Sequence, residues 1–173
     1  ITIGATISLT ATPAPGAAAP PDPRATIAEA RAAPGIVARV EILLALLDRL
    51  PAAATPGWRA IVLDELGAVF VAEGDRRMAH RFYVEAWALQ RRIGEPVDRI
   101  RARTLLADLH WRGGDYARAL HHYDAIAALA AVTPDLPTRV RAELYNNRGL
   151  VYATLGDWKA AEGDLFRALA TRS

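Results

Sequence analysis

The segment Leu66–Ala86, "LGAVFVAEGDRRMAHRFYVEA", carries apolar residues at helical spacing on both sides of Gly74-Asp75. Glycine can adopt the left-handed conformation that ends a helix at little cost, and an aspartate directly after it can cap the next helix. The stretch therefore predicts two helices joined by a tight turn. Gly67 and Ala79 contribute almost no side chain and let those helices approach, while Phe70 and Tyr83 fill the space above and below.

The pattern returns twice, in "LADLHWRGGDYARALHHYDAI" (Leu106–Ile126) and "RGLVYATLGDWKAAEGDLFRA" (Arg148–Ala168). The Gly-Asp step recurs at 74, 114 and 156, spacings of 40 and 42 residues, and the same offsets relate four further columns. These are Gly67, Ala107 and Gly149; Phe70, His110 and Tyr152; Ala79, Ala119 and Ala161; and Tyr83, Tyr123 and Leu165. Pro56, Pro96 and Pro137 each fall near the start of a helical pattern, where a missing N–H costs nothing.

Taken jointly, these columns resemble tetratricopeptide (TPR) repeats, with Leu66, Gly67, Phe70, Gly74, Asp75, Ala79, Tyr83 and Ala86 matching the family pattern in the first unit. The second unit departs at Ala107, His110 and Ile126, and the third at Arg148 and Leu165. The period exceeds the usual length of about 34 residues, so each helix should be longer by about one turn. In this the repeats are similar to the long-period units of bacterial regulators. The resemblance implies an all-α, right-handed α-solenoid of antiparallel helix pairs, with repeats at 56–94, 95–134 and 135–173. Residues 24–51, with Val40, Leu44 and Leu47 on one helical face, are expected to form a degenerate repeat or helical cap. Residues 1–23 read as a tail, a strand-like "ITIGATISLT" followed by a Pro/Ala-rich linker.

Composition agrees with this class. The chain has 173 residues, 52% of them hydrophobic and only 7% aromatic, a mix that suits close-packed helices. A net charge of +2 gives no global field for nucleic acid, although the sequence pI is about 9.3. Cysteine is absent, which excludes disulfides, thiolate nucleophiles and Cys-ligated zinc. The most apolar helix, Ile36 to Leu50, is interrupted by Arg39, Glu41, Asp48 and Arg49, so no membrane span is expected. The absence of cysteine leaves the redox compartment open, and the module is expected to be soluble and cytoplasmic. A chain that opens on Ile1 and closes on Ser173 is expected to be a processed protein or part of a longer one.

The histidines raise the question of chemistry, since three of the four lie in Leu109–Asp124. His110 falls in the large aromatic column and is read as packing. His121 and His122 are adjacent on a helix, so they point about 100° apart, and neither Asp115 nor Asp124 completes a ligand set. His80 has no evident partner. No P-loop, no G-x-S-x-G and no Ser/His/Asp grouping is present, and Asp64-Glu65 reads as ordinary exposed charge. The chain is therefore expected to be no enzyme, with no metal and no cofactor.

The resemblance implies that peptides or partner helices bind the concave wall lined by the first helix of each unit. Carried over by register, that wall includes Asp64, Arg101, Thr104, Asp108, Trp111, Arg112, Glu143, Asn146, Asn147 and Leu150. Trp111 is either an exposed anchor or a cover over the seam to the next helix. Asn146 and Asn147 could hold a peptide backbone. In "DRIRAR" only part of the cluster can enter the groove, and a solvated face is the simpler reading for Arg99 and Arg103. If Arg101 and Arg112 line the wall, acidic side chains or a carboxylate terminus would be favoured. The expected function is a protein-protein interaction scaffold. The alternative is a regulatory or sensor segment controlling a neighbouring effector domain.

Overall fold

A computed structural model of the chain describes residues 22–53 and 55–171. Within these residues there are only helices, in the order α1 (Pro23–Ala32), α2 (Gly35–Arg49), α3 (Pro56–Ala72), α4 (Arg76–Ile93), α5 (Pro96–Arg112), α6 (Tyr116–Ala131), α7 (Thr138–Thr154) and α8 (Trp158–Ala170). Each odd helix packs on the even helix after it, and each pair packs on the next. The architecture is an α-solenoid of helix pairs. No helix among the described residues is long and apolar enough to cross a membrane. The strand-like "ITIGATISLT" lies outside the described residues.

Three of the four turns within helix pairs repeat one design. Gly74, Gly114 and Gly156 have φ of +79°, +80° and +80°, a region that favours glycine. The aspartates that follow accept hydrogen bonds from the backbone N–H of Met78, Arg118 and Ala160 at 3.0, 3.1 and 3.1 Å. Each turn thus stops one helix and caps the next. The first pair departs from this plan. Gly35 keeps the positive φ, +78°, but Pro34 stands where an aspartate would cap, and α2 begins without a side-chain cap. The cap appears one helix earlier, where Asp22 accepts from the Arg24 N–H and Pro23 opens α1. Residues 22 and 23, expected in the linker, therefore belong to the first helix start.

The small columns let the helices close. Gly67, Ala79, Ala107, Ala119 and Ala161 are buried, and the Tyr83 ring lies directly across Gly67, in the space a Cβ would take. The core is a succession of clusters, each joining one pair to the next. Leu43 and Leu46 meet Val62 and Leu66; Ala79 and Tyr83 meet Leu106 and Leu109; Tyr123 and Ile126 meet Leu144 and Val151.

A further column was not read from the sequence. Arg59, Arg99 and Arg141 share the period of 40 and 42. Arg59 donates to the Leu47 and Leu50 carbonyls at 2.6 and 2.9 Å, and Arg141 to those of Ala130 and Thr133, both at 2.9 Å. These arginines satisfy the free carbonyls at the end of the preceding helix and so stitch consecutive pairs together. Arg99 is half-buried, and so is Arg103, whose guanidinium lies 5.2 Å over the Trp87 ring. The solvated-face reading is thus corrected for both: Arg103 packs on Trp87 of the preceding pair, and Arg99 is half-buried.

Candidate functional site

Two adjoining concavities run between α3 and α5, sharing Ala68 and Leu105 as a common floor. The larger, about 430 Å³, is bounded by Ile61, Asp64, Glu65, Asp98 and Arg101, with Arg31 reaching in from α1 and Gln90 from α4. The smaller, about 140 Å³, is bounded by Val71, Tyr83, Asp108, Leu109 and Arg112. Asp64, Arg101, Asp108 and Arg112 thus share one surface, as the repeat register predicts.

Asp64 is the unusual member. Its carboxylate is half-buried, and Oδ1 is out of contact with water and without a hydrogen-bond partner among the described residues. Burial pushes the Asp64 carboxyl up to about 7; Arg101 opposes that rise, while Glu65 and Asp98 add to it. Glu65 is engaged by both nitrogens of the Arg31 fork. The two neighbouring carboxylates are therefore not ordinary exposed charge: one anchors α1 to α3, and the other faces the concavity partly desolvated.

Asp108 is engaged through one oxygen. Its Oδ1 accepts from the Tyr123 hydroxyl and, at 3.4 Å, from the Asn147 side-chain amide. Burial raises the Asp108 carboxyl, and these hydrogen bonds with Arg112 pull against that. Burial raises Tyr83 to about 12 and Tyr123 further still, so both phenols stay protonated. Asn146 donates to Asn147 Oδ1 at 3.4 Å, and the two asparagines thereby form a bridge from α7 to α5.

The remaining expected residues are engaged within the fold. Thr104 donates to the Ile100 carbonyl of its own helix at 2.9 Å. Trp111 is half-buried on the core cluster of the middle pair, which is the seam-covering placement. Glu143 pairs with Arg139 at 2.7 Å one turn earlier on α7, and Leu150 is exposed on the same helix. Sequence reasoning missed Arg31, Asp98 and Gln90. Asp98 stands three residues before Arg101 on the same helix and was legible from that spacing. Arg31 and Gln90 come from elements outside the register used to find the wall.

The histidines form a chain of ring contacts. His80 on α4 meets His110 on α5 edge to face at 5.4 Å, His110 stacks on His122 of α6 at 5.4 Å and 10°, and His121 meets His122 at 5.7 Å. The reading of His80 as partnerless is therefore corrected: Leu120 occupies its column in the next unit, so no repeat position pointed to the contact. His110 packs as expected. Burial lowers its pKa, as does the charge of His80, while Asp115 raises it. Among the described residues no three His, Cys, Asp or Glu side chains are arranged to share a metal ion.

No family model matches the sequence, and no curated protein does. Solved structures do resemble it. The crystal structure of BtubC (BKLC) from P. vanneervenii superposes with a TM-score of 0.70 at 19% identity, over 79% of this chain and 56% of that one. The apo form of RapI superposes with a TM-score of 0.70 at 17% identity, over 79% of this chain and 38% of that one. The chain spans little over half the length of the first and under two-fifths of the second. At such identity the likeness shows the fold, a helical-repeat solenoid.

Proposed function

We propose that the chain is a TPR-type interaction module whose concavity between α3 and α5 holds a peptide segment of a partner or of its own polypeptide, with no catalytic step. The observation that supports this most is Asp64. A desolvated carboxylate oxygen without a donor is costly, and among the described residues only the charge of Arg101 opposes that cost, with no hydrogen bond to Oδ1. A donor supplied from outside, such as a basic side chain or an amino terminus, would complete it. Arg101 beside it offers a guanidinium to a peptide carbonyl or carboxylate. Asp108, Asn146 and Asn147 then act as scaffold, holding α5 to α7 behind the groove.

Panning a random peptide display against the wild type, Asp64→Asn and Arg101→Glu tests this reading. Wild type should enrich peptides that carry a basic residue or free amino terminus. Asp64→Asn should weaken them about tenfold, the scale of one charge-assisted contact. Wild-type affinity should also rise from pH 6 to pH 8, because the carboxyl ionises at about 7 and only the carboxylate attracts a cation. Equal affinity in wild type and both variants would refute the assignment.

A further inference from the structure

A separate concavity of about 360 Å³ lies between the start of α4 and the α5–α6 turn. Arg76 and Arg77 enter it from the first turn of α4, His80 from the next, His110 from the end of α5 and Arg118 from the first turn of α6. Asp115 is its one carboxylate among the described residues. Three arginines against one aspartate leave an excess of two positive charges, equal to the formal net charge of the whole chain.

That carboxylate is already engaged. Asp115 Oδ1 accepts from the Arg118 backbone N–H at 3.1 Å, and Oδ2 faces Arg118 Nη1 at 3.3 Å and His110 Nδ1 at 4.0 Å. The guanidinium groups of Arg76 and Arg77 have no hydrogen bond or ion pair among the described residues. Arg76 Nη1 stands 3.5 Å from where a Gly113 Cβ would sit, so this side chain reaches from α4 to the α5–α6 turn.

We propose that this concavity binds a phosphoryl group, as free phosphate or as a phosphate monoester. A carboxylate offers two oxygens, which one guanidinium fork satisfies; the two unpaired forks of Arg76 and Arg77, with the Asp115-paired Arg118 and two imidazoles beside them, suit a tetrahedral dianion with three or four. The imidazoles strengthen the match. Burial first, then the charges of His80 and Arg118, disfavour the proton on His110, while Asp115 opposes them; behind it His122 faces Arg103 and His121. A bound dianion favours the protonated His110 ring, which then offers a second N–H donor.

The test follows the histidine ring signals by NMR at fixed ionic strength during titration with inorganic phosphate, with O-phosphoserine and with sodium chloride. Phosphate or phosphoserine should give saturable shifts at His80 and His110 and raise the His110 titration midpoint. Arg76→Gln with Arg77→Gln, both at exposed positions, should weaken binding about a hundredfold, tenfold for each lost contact, with an unchanged circular dichroism spectrum. Equal binding of both probes would show that the site reads the phosphoryl group itself, and binding of phosphoserine alone that it reads the esterified side chain. Asp64→Asn should leave either result unchanged, because the concave wall is a different surface. Shifts that chloride reproduces, shifts that do not saturate, or undiminished binding in the arginine variant would overturn the proposal.

Discussion

The first and middle TPR-like pairs place the same two positions face to face and fill them with different chemistry. In α3–α4, Phe70 and Phe82 stack at 5.6 Å and 13°. Forty residues on, in α5–α6, His110 and His122 stack at 5.4 Å and 10°. In α7–α8 the same positions are Tyr152 and Asp164, and there Arg148 donates twice to Asp164, at 2.6 and 2.9 Å, with its guanidinium 5.9 Å over the Tyr152 ring. The backbone design is constant while the seam is apolar, titratable or ionic in turn. The Gly-Asp turns and the buried small residues hold the pairs together, which leaves the seam free to vary.

The ionic seam should be the most sensitive to change. Asp164 is 2% exposed, and Arg148→Met would leave it only the exposed Arg167, which donates to Oδ1 at 3.0 Å, at a cost of about 2–4 kcal/mol, read as a lowered melting temperature. The double replacement Arg148→Leu, Asp164→Phe copies Leu66 and Phe82 of the first pair and should recover most of that loss. A double variant as unstable as the single one would show that the seam is not interchangeable. Gly67→Ala is next. The middle pair carries alanine at this column, but in the first pair the new Cβ would overlap the Tyr83 ring, at a cost of about 1–3 kcal/mol. A melt at or above the wild-type temperature would show that Tyr83 moves aside freely.

The middle seam should respond to pH. Burial, aided by Arg103 and the other histidines, holds His122 down to about 4, whereas the unfolded side chain titrates near 6.5. As the pH falls below 6.5 the unfolded chain takes up the proton first, so the contribution present above that value is lost progressively towards pH 4. After discounting for partial exposure the loss is about 1–2 kcal/mol. Asp64 acts in the opposite sense. Its raised carboxyl favours the folded state once protonated, so its burial becomes less costly as the pH falls through 7. His110→Phe with His122→Phe copies the first seam and removes only the histidine effect. That variant should gain on wild type at pH 5 more than at pH 8, and an identical gain at both would exclude titration of the stack. Asp64→Asn should show the smallest effect, a gain of about 1 kcal/mol at pH 8 that shrinks as the pH falls through 7 towards 5; a loss at pH 8 would make Asp64 a structural residue.

Much of this was legible in the sequence because repetition exposes what packing requires. The glycines with positive φ, the capping aspartates and the small columns recur at a fixed period, and they position the helices. The same register placed Asp64, Arg101, Asp108 and Arg112 together on one wall, and they line adjoining concavities. What the register conceals is contact between columns. Phe82, His122 and Asp164 form a column of three unrelated residue types, so their shared place at the seam shows only once α4, α6 and α8 lie against α3, α5 and α7. The Arg59, Arg99 and Arg141 column was visible as a period, but arginine on a helix suggests solvent, and its role depends on carbonyls at the end of another helix. His80 and Arg31 act across pairs, where no repeat position predicts a neighbour.

The claim that one scaffold carries three independent seams is tested most directly by amide hydrogen exchange, resolved by helix, at pH 7.5 and pH 5 after correction for intrinsic rates. Protection should fall about tenfold or more in α5 and α6 on acidification while α3 and α4 retain theirs, and the His110→Phe, His122→Phe variant should abolish the difference. Uniform loss across all pairs, or loss centred on α3 and α4, would contradict that claim.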